Sequence, residues 1–253
     1  MESKKIRLSV VIPTFNESQK LIQNLELIKF YLLKEGYEFE IIVSDNGSTD
    51  KTALLAKDYA KKNKFVKVLE SPLPGKGPAV RNGVLGASND YILVCDADLA
   101  TPIKELKRLF VWILEQGYDI AIASREGMGA FRKGEPYIRH LMGRIFNAVV
   151  QTIAIKGYND TQCGFKLFKT AVAKNIFEKL LVYKDFKRTK KPYLGAFDVE
   201  VLVIANLLGY RVKEIPITWT YVPTKRISHL KDSLKMVRDV IKIKINAVRG
   251  EYR

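Results

Sequence analysis

Five short, mostly apolar runs, Leu8–Ile12, Phe39–Val43, Val66–Leu69, Tyr91–Cys95 and Asp119–Ser124, punctuate the first half of the chain, with helical patterns between them. This spacing constrains the fold more than any other feature. Strands alternating with helices through short connections predict an α/β domain with a mostly parallel sheet flanked by helices. The 253 residues suffice for one large domain of that class or two small ones. No linker is visible before about residue 125, and no internal repeat is seen. Ligands of open α/β sheets collect beyond the carboxyl ends of strands, so chemistry is expected in the loops after these runs.

The sharpest such loop follows Tyr91–Cys95. The apolar run stops at Asp96-Ala97-Asp98, two carboxylates one residue apart, and Thr101-Pro102 and a helix over about Ile103–Glu115 come next. Side chains at i and i+2 of an extended strand share a face but not a focus, so a turn is required to bring both onto one cation. Hard oxygen donors favour Mg²⁺ or Mn²⁺ shared with substrate phosphates. The plainer alternative is a strand-end turn with a helix cap.

Other loops carry a phosphate theme. Gly75-Lys76-Gly77 lets backbone approach an anion and adds a cation, without the spacing of a P-loop. No G-x-G-x-x-G follows the first strand. Asp45, in Ser44-Asp45-Asn46-Gly47-Ser48-Thr49-Asp50, can meet a base or ribose, although the same residues are good turn formers. Asn16 or Ser18 is expected to cap the helix bearing Leu21, Leu25, Ile28 and Leu32. His140 and His229 are the only histidines, and no Ser-His-Asp set exists. Both are read as structural or phosphate-contacting.

Beyond Arg125 the pattern changes. Gly127, Gly129 and Gly134 mark a mobile loop containing Arg132 and Lys133. Ile138, Leu141, Met142, Ile145, Phe146, Val149, Val150 and Ile153 then recur at helical steps, over about residues 136–155. This stripe suits either a core helix or an interfacial one whose arginines meet head-group phosphates. Lys184–Pro192 reads as a basic solvated loop, Gly195–Glu200 opens a helix, and Val212–Trp219 alternates like an edge strand with Pro216. Tyr221–Ser228 is a loop with Lys225 and Arg226. In the tail, residues 230–253, Leu234, Val237, Ile241, Ile245 and Val248 share a face among many lysines and arginines. This basic amphipathic helix suits a membrane surface or a solvated packing helix.

The net charge of +16 calls for an anionic partner. Signatures of nucleic-acid modules are missing, so no nucleic acid is expected. Neither a signal peptide nor a membrane span is expected, and Cys95 and Cys163 lack metal spacing. The expected place is cytoplasmic, peripheral on a membrane.

Together, Val11-Ile12-Pro13-Thr14-Phe15-Asn16-Glu17, Asp45–Asp50, Gly75-Lys76-Gly77 and Asp96-Ala97-Asp98 resemble glycosyltransferase family 2, inverting enzymes of GT-A fold. Asp160-Thr161-Gln162-Cys163-Gly164-Phe165-Lys166-Leu167-Phe168, Phe197-Asp198-Val199-Glu200 and Ile217-Thr218-Trp219 are similar to its dolichyl-phosphate β-glucosyltransferase branch. The resemblance covers the chain from about Arg7 onward. It departs in the amino-terminal anchor of the eukaryotic glucosyltransferases and the carboxyl-terminal spans of some mannosyl relatives, neither of which is seen here. Attachment would then fall to the amphipathic helices.

What the resemblance implies is transfer of glucose from UDP-glucose to a dolichyl or polyprenyl phosphate with Mg²⁺ or Mn²⁺. Pro13, Phe15, Glu17, Asp45 and Lys76 would hold the nucleotide sugar, and Asp96 and Asp98 the metal-diphosphate. Arg125, Arg139 and Arg144 would receive the acceptor phosphate, while Thr161, Gln162, Asp198 and Glu200 would shape the sugar and acceptor pocket. Asp96, Asp98 and Arg125 would carry the reaction. Elementary chemistry agrees on the acceptor side: a phosphate is already anionic at neutral pH, so it needs cations to position it and no dedicated base. The alternatives are mannose transfer from GDP-mannose, and a noncatalytic nucleotide-sugar-binding protein on a membrane surface.

Overall fold

The computed structural model describes residues 5–71, 75–182, 195–223 and 229–253. The expected basic loop Lys184–Pro192 and the part of the Tyr221–Ser228 loop carrying Lys225 and Arg226 lie outside the described residues.

All five expected strands form: β1 (Arg7–Thr14), β2 (Glu38–Asp45), β3 (Val66–Glu70), β4 (Tyr91–Val94) and β5 (Ile120–Ser124). A short strand, β6 (Phe131–Lys133), follows, then β7 (Lys166–Lys169), β8 (Val212–Pro216) and β9 (Thr218–Thr220). Seven strands make one sheet in the order β3-β2-β1-β4-β7-β5-β8. Every pair is parallel except those of β7, which runs antiparallel between β4 and β5.

The helices are α1 (Leu21–Lys34), α2 (Thr52–Lys62), α3 (Lys76–Leu85), α4 (Leu106–Leu114), α5 (Tyr137–Ile153), α6 (Thr170–Glu178), α7 (Phe197–Leu207) and α8 (His229–Val248). They bury both sheet faces, as parallel strands require. Alternation splits β1 between two cores. Val10 and Ile12 face Leu21, Leu25 and Ile28 of α1 and Leu106 and Leu109 of α4, whereas Val11 faces Val80 and Val84 of α3. Each fully buried aliphatic side chain contributes about 1.5–3 kcal/mol, which is why the apolar stripe of α1 docks so firmly.

Several expectations change. No side chain caps α1, whose N-cap is Lys20. Asn16 instead takes a left-handed φ of 54° and its Oδ1 accepts from the amides of Thr49 and Asp50, because tying two strand-end loops satisfies more donors than a cap would. The glycine-rich stretch after Arg125 contains a short strand: Phe131–Lys133 pairs in parallel with Thr218–Thr220. The single strand expected over Val212–Trp219 is therefore two. β8 keeps the sheet edge, with Pro216 opposite Ser124, and β9 leaves to meet β6. In α8, Val240 and Ile243 are buried against α5 and α7 and Val237 packs partly against the same core, while Leu234, Ile241, Ile245 and Val248 face outward.

Candidate active site

The chain turns sharply after β4. Leu99 adopts a left-handed φ of 51°, costing about 1–2 kcal/mol for a residue with a Cβ. Its amide donates to Asp96 O at 3.2 Å, and Ala100 N donates to Asp98 Oδ1 at 3.0 Å. This is the turn that two carboxylates at i and i+2 need in order to converge. Asn24 of α1 pins it from the side, its Nδ2 donating to Ala97 O at 2.7 Å.

Asp96 is enclosed on most sides, yet its side chain keeps 38% of its surface open. Lys76, the first residue of α3, reaches it with Nζ 2.6 Å from Oδ1. Behind it the backbone of Gly164 comes so close that a Cβ there would lie 2.2 Å from Asp96 Oδ2. Enclosure opposes the charge of Asp96, but Lys76, with Lys166 and Arg125 further off, outweighs it and holds the carboxyl below the usual range. Asp98 has the opposite fate: burial, then the charge of Asp96, pushes its carboxyl up to about 6.

The nucleotide-side loops are stitched together by their own polar groups. Asn46 N donates to Thr14 O at 2.8 Å, and Asn46 Oδ1 accepts from the amide of Gly75, whose φ of 133° only glycine tolerates readily. Asn46 thereby sets where α3 and Lys76 begin. Asp45 lies at the end of β2, almost fully buried. Its oxygens accept from Gly47 N, Ser48 N, Ser48 Oγ and Thr14 Oγ1, the turn chemistry its neighbours allowed. Phe15 and Glu17 follow Pro13 around the same corner, with Glu17 close enough to Asp98 to disfavour its charge.

Across the cleft, Arg125 is clamped. Its Nε and Nη2 donate to the two oxygens of Asp160 at 2.7 and 2.8 Å, its amide adds a third bond at 2.9 Å, and its guanidinium lies 5.4 Å from the Trp219 ring centre. Burial works against both charges, but each partner overrides it, so Asp160 sits far below and Arg125 far above its ordinary value. Arg125 is thus fixed by a bidentate pair, and Nη1 takes no part in it.

Arg139 and Arg144 of α5 stand beside it in looser pairs. Arg139 Nε is 3.6 Å from Glu135 and Arg144 Nη1 3.7 Å from Glu126. Arg132 bridges both glutamates and donates from Nε to Arg125 O. His140 Nδ1 lies 3.4 Å from Glu135.

The pocket residues inferred from resemblance divide. Gln162 is partly exposed near Asp160, its amide donating to Oδ1 at 3.2 Å. Thr161 is buried and donates to Asn147 of α5, so it fixes the loop to the helix. Asp198 is buried against Lys166, whose Nζ also donates to Cys163 O at 2.5 Å. Glu200 is fully buried: Oε1 accepts from Leu181 N, Val182 N and Tyr252 Oη and so ties Tyr252 to α7, while Oε2 has no hydrogen-bond partner among the described residues.

Lys166, Asn46, Asn147 and Glu126 were missed. Lys166 had a visible signal, a lone lysine inside the apolar run Phe165–Phe168; the others had none.

The residues at the cleft fit a divalent cation. Asp96 and Asp98 lie on one turn and feel each other's charge, Lys76 pairs with Asp96, and Asp98 is held above the usual carboxylate range by burial and by Asp96. Among the described residues no group of three metal-ligating side chains forms, so remaining ligands would be diphosphate oxygens or water.

Comparisons with known proteins follow the same line. The profile described as Glycosyl transferase family 2 matches residues 9–177. Dolichyl-phosphate beta-glucosyltransferase of Dictyostelium discoideum is 31% identical over 263 residues, spanning 98% of this chain and 77% of that protein. The protein of the same name from Homo sapiens is 31% identical over 266 residues, 100% of this chain and 79% of its own. The structure of glucosyl-3-phosphoglycerate synthase from Mycobacterium tuberculosis, in complex with Mn²⁺, UDP-glucose and phosphoglyceric acid, superposes with a TM-score of 0.62 at 19% identity. It covers 98% of this chain and 80% of that one. That likeness establishes the GT-A arrangement of strands and helices.

Proposed function

The chain belongs to glycosyl transferase family 2, and from that premise we propose that it transfers glucose from UDP-glucose to a dolichyl or other polyprenyl phosphate, with inversion at the anomeric carbon. One observation carries the reading: Lys76 pairs with Asp96 at 2.6 Å, and Gly164, from the loop whose Asp160 clamps Arg125, packs against the same carboxylate, so the donor-side and acceptor-side groups address one cleft.

In the proposed reaction an acceptor phosphate oxygen forms a bond to the anomeric carbon, and the bond from that carbon to the β-phosphate oxygen breaks, its electron pair leaving with UDP. The attacking oxygen is already an anion, so no proton needs to move. Pro13, Phe15, Glu17 and Asp45 wall the nucleoside side. Lys76 and the free amides of the α3 amino terminus face the diphosphate. Mg²⁺ or Mn²⁺, held by Asp98 and Asp96, would neutralise the charge that develops on the departing diphosphate. Arg125, held rigid by Asp160, and Arg139 and Arg144, held loosely by glutamates, orient the nonreacting phosphate oxygens.

A lipid acceptor also requires the protein to reach a membrane. No described helix is long and apolar enough to cross one. Tyr137, Ile138, Leu141 and Ile145 of α5 and Leu234, Ile241, Ile245 and Val248 of α8 are exposed. We place these two neighbouring helices on the lipid surface, facing the cytoplasm, with the arginines of α5 at head-group level.

The test is transfer of radiolabelled sugar to a short polyprenyl phosphate, from UDP-glucose and GDP-mannose in parallel, with Mg²⁺ or Mn²⁺. Glucose transfer is expected, abolished in a folded Asp98→Ala variant; unchanged turnover in that variant sinks the reading. Arg139→Ala and Arg144→Ala should raise the KM for acceptor about tenfold, the loss of one charge-assisted contact, with little change in KM for donor.

A further inference from the structure

Lys76 neutralises Asp96, one of the two carboxylates that would hold the divalent cation. Its Nζ is 2.6 Å from Oδ1, and the backbone of Gly164 packs against the same carboxylate. Among the described residues, Asp98 accepts one hydrogen bond, from Ala100 N. Two carboxylates and one ammonium leave a single net negative charge, weak attraction for a doubly charged ion that must shed water to enter.

The position of Lys76 also gives it somewhere else to go. Its backbone is fixed by Gly75 and Asn46, but its ammonium rides on a flexible four-carbon stem. It is the first residue of α3, a ten-residue helix with no side-chain cap, whose first amides, those of Lys76 and Gly77, have no intrahelical acceptor. A nucleoside diphosphate settling there brings negative charge within reach of Lys76. Arg125, held by two parallel bonds, has no such freedom.

Resting on the reading above, we propose that Lys76 is an exchangeable counter-ion: it neutralises Asp96 in the free protein, and passes to the diphosphate when the nucleotide binds, freeing Asp96 for the divalent cation. Nucleotide and metal then bind cooperatively, each strengthening the other by the same factor.

Mn²⁺ uptake by the full chain, followed by the electron paramagnetic resonance of free Mn²⁺ with and without UDP, tests the exchange. Wild type should bind Mn²⁺ about tenfold or more tightly with UDP than without, within the usual range of such couplings. Lys76→Met should bind Mn²⁺ alone about tenfold more tightly than wild type alone, and gain little from UDP. Lys76→Arg should behave as wild type. Mn²⁺ alone should raise the melting temperature of Lys76→Met and leave wild type unmoved, and Lys76→Gln carries the same test if the methionine variant does not fold. If wild type binds Mn²⁺ with UDP but neither neutral variant gains affinity without it, the exchange is overturned and the metal site stands. If wild type takes up no Mn²⁺ even with UDP, both fall.

Discussion

Glu40 is a carboxylate in the middle of β2 with 7% of its surface exposed, and it holds three parts of the chain. It accepts from Ser9 Oγ of β1 at 2.6 Å, from Ser88 N and Oγ after α3 at 2.7 and 2.8 Å, and pairs with Lys67 of β3 at 2.6 Å. Burial raises its pKa, but the bonds from Lys67, Ser9 and Ser88 prevail and bring it down to about 2. A folded-state value below the unfolded one adds stability above the unfolded pKa, and that stability is lost as pH falls through the folded value. Glu40→Gln should therefore lower unfolding stability by about 1–3 kcal/mol at neutral pH. The gap to wild type should close as pH drops from about 5 towards 2, in urea titrations at each pH. A gap independent of pH would mean that the charge of Glu40 does not matter.

At this scale the sequence reveals residue chemistry better than partners. Asp96 and Asp98 stand out because an apolar run ends on them. The burial of Glu200 and the pairing of Asp198 with Lys166 join positions more than thirty residues apart in the latter case, which no local pattern encodes.

The helices show the same division one level up. The stripes of α5 and α8 are plain in the sequence, but a period gives a face and not its occupant. In α5, Phe146 and Val150 are buried, whereas Ile138 and Ile145 on the apolar stripe stay exposed. In α8 most of the stripe points outward, and Val240 and Ile243 beside it join the core. Direction is equally silent in β7: Lys166-Leu167-Phe168-Lys169 fits a parallel or an antiparallel strand, and neighbours decided. If the exposed faces meet lipid, Ile138→Ser with Ile145→Ser should reduce flotation with anionic liposomes without lowering the melting temperature. Raising salt should weaken binding of wild type, since basic residues near an anionic leaflet contribute about 1 kcal/mol each. Equal flotation of variant and wild type would remove α5 from the interface.

For the molecule as a whole, the alternation of strands and helices fixed the sheet class, and the positive charge named an anionic partner without choosing it. What it left open was how the two halves of the sheet are joined. β4 and β5 do not pair; β7, arriving from far downstream, lies between them and pairs with both. On the ribosome, β4 must wait with one edge unpaired while more than seventy residues are made, from Val94 to Lys166. Early folding can yield only the β3-β2-β1-β4 unit, and an open edge strand is a template for the wrong partner. Pulsed hydrogen exchange during refolding should protect the amides of β1 and β2 first and those of β5, β7 and β8 together afterwards; simultaneous protection would reject this order. Gly164 and Lys166 travel with that late strand, so the pocket around Asp96 is finished by the last act of assembly, and a nascent chain carries its carboxylates long before it can use them.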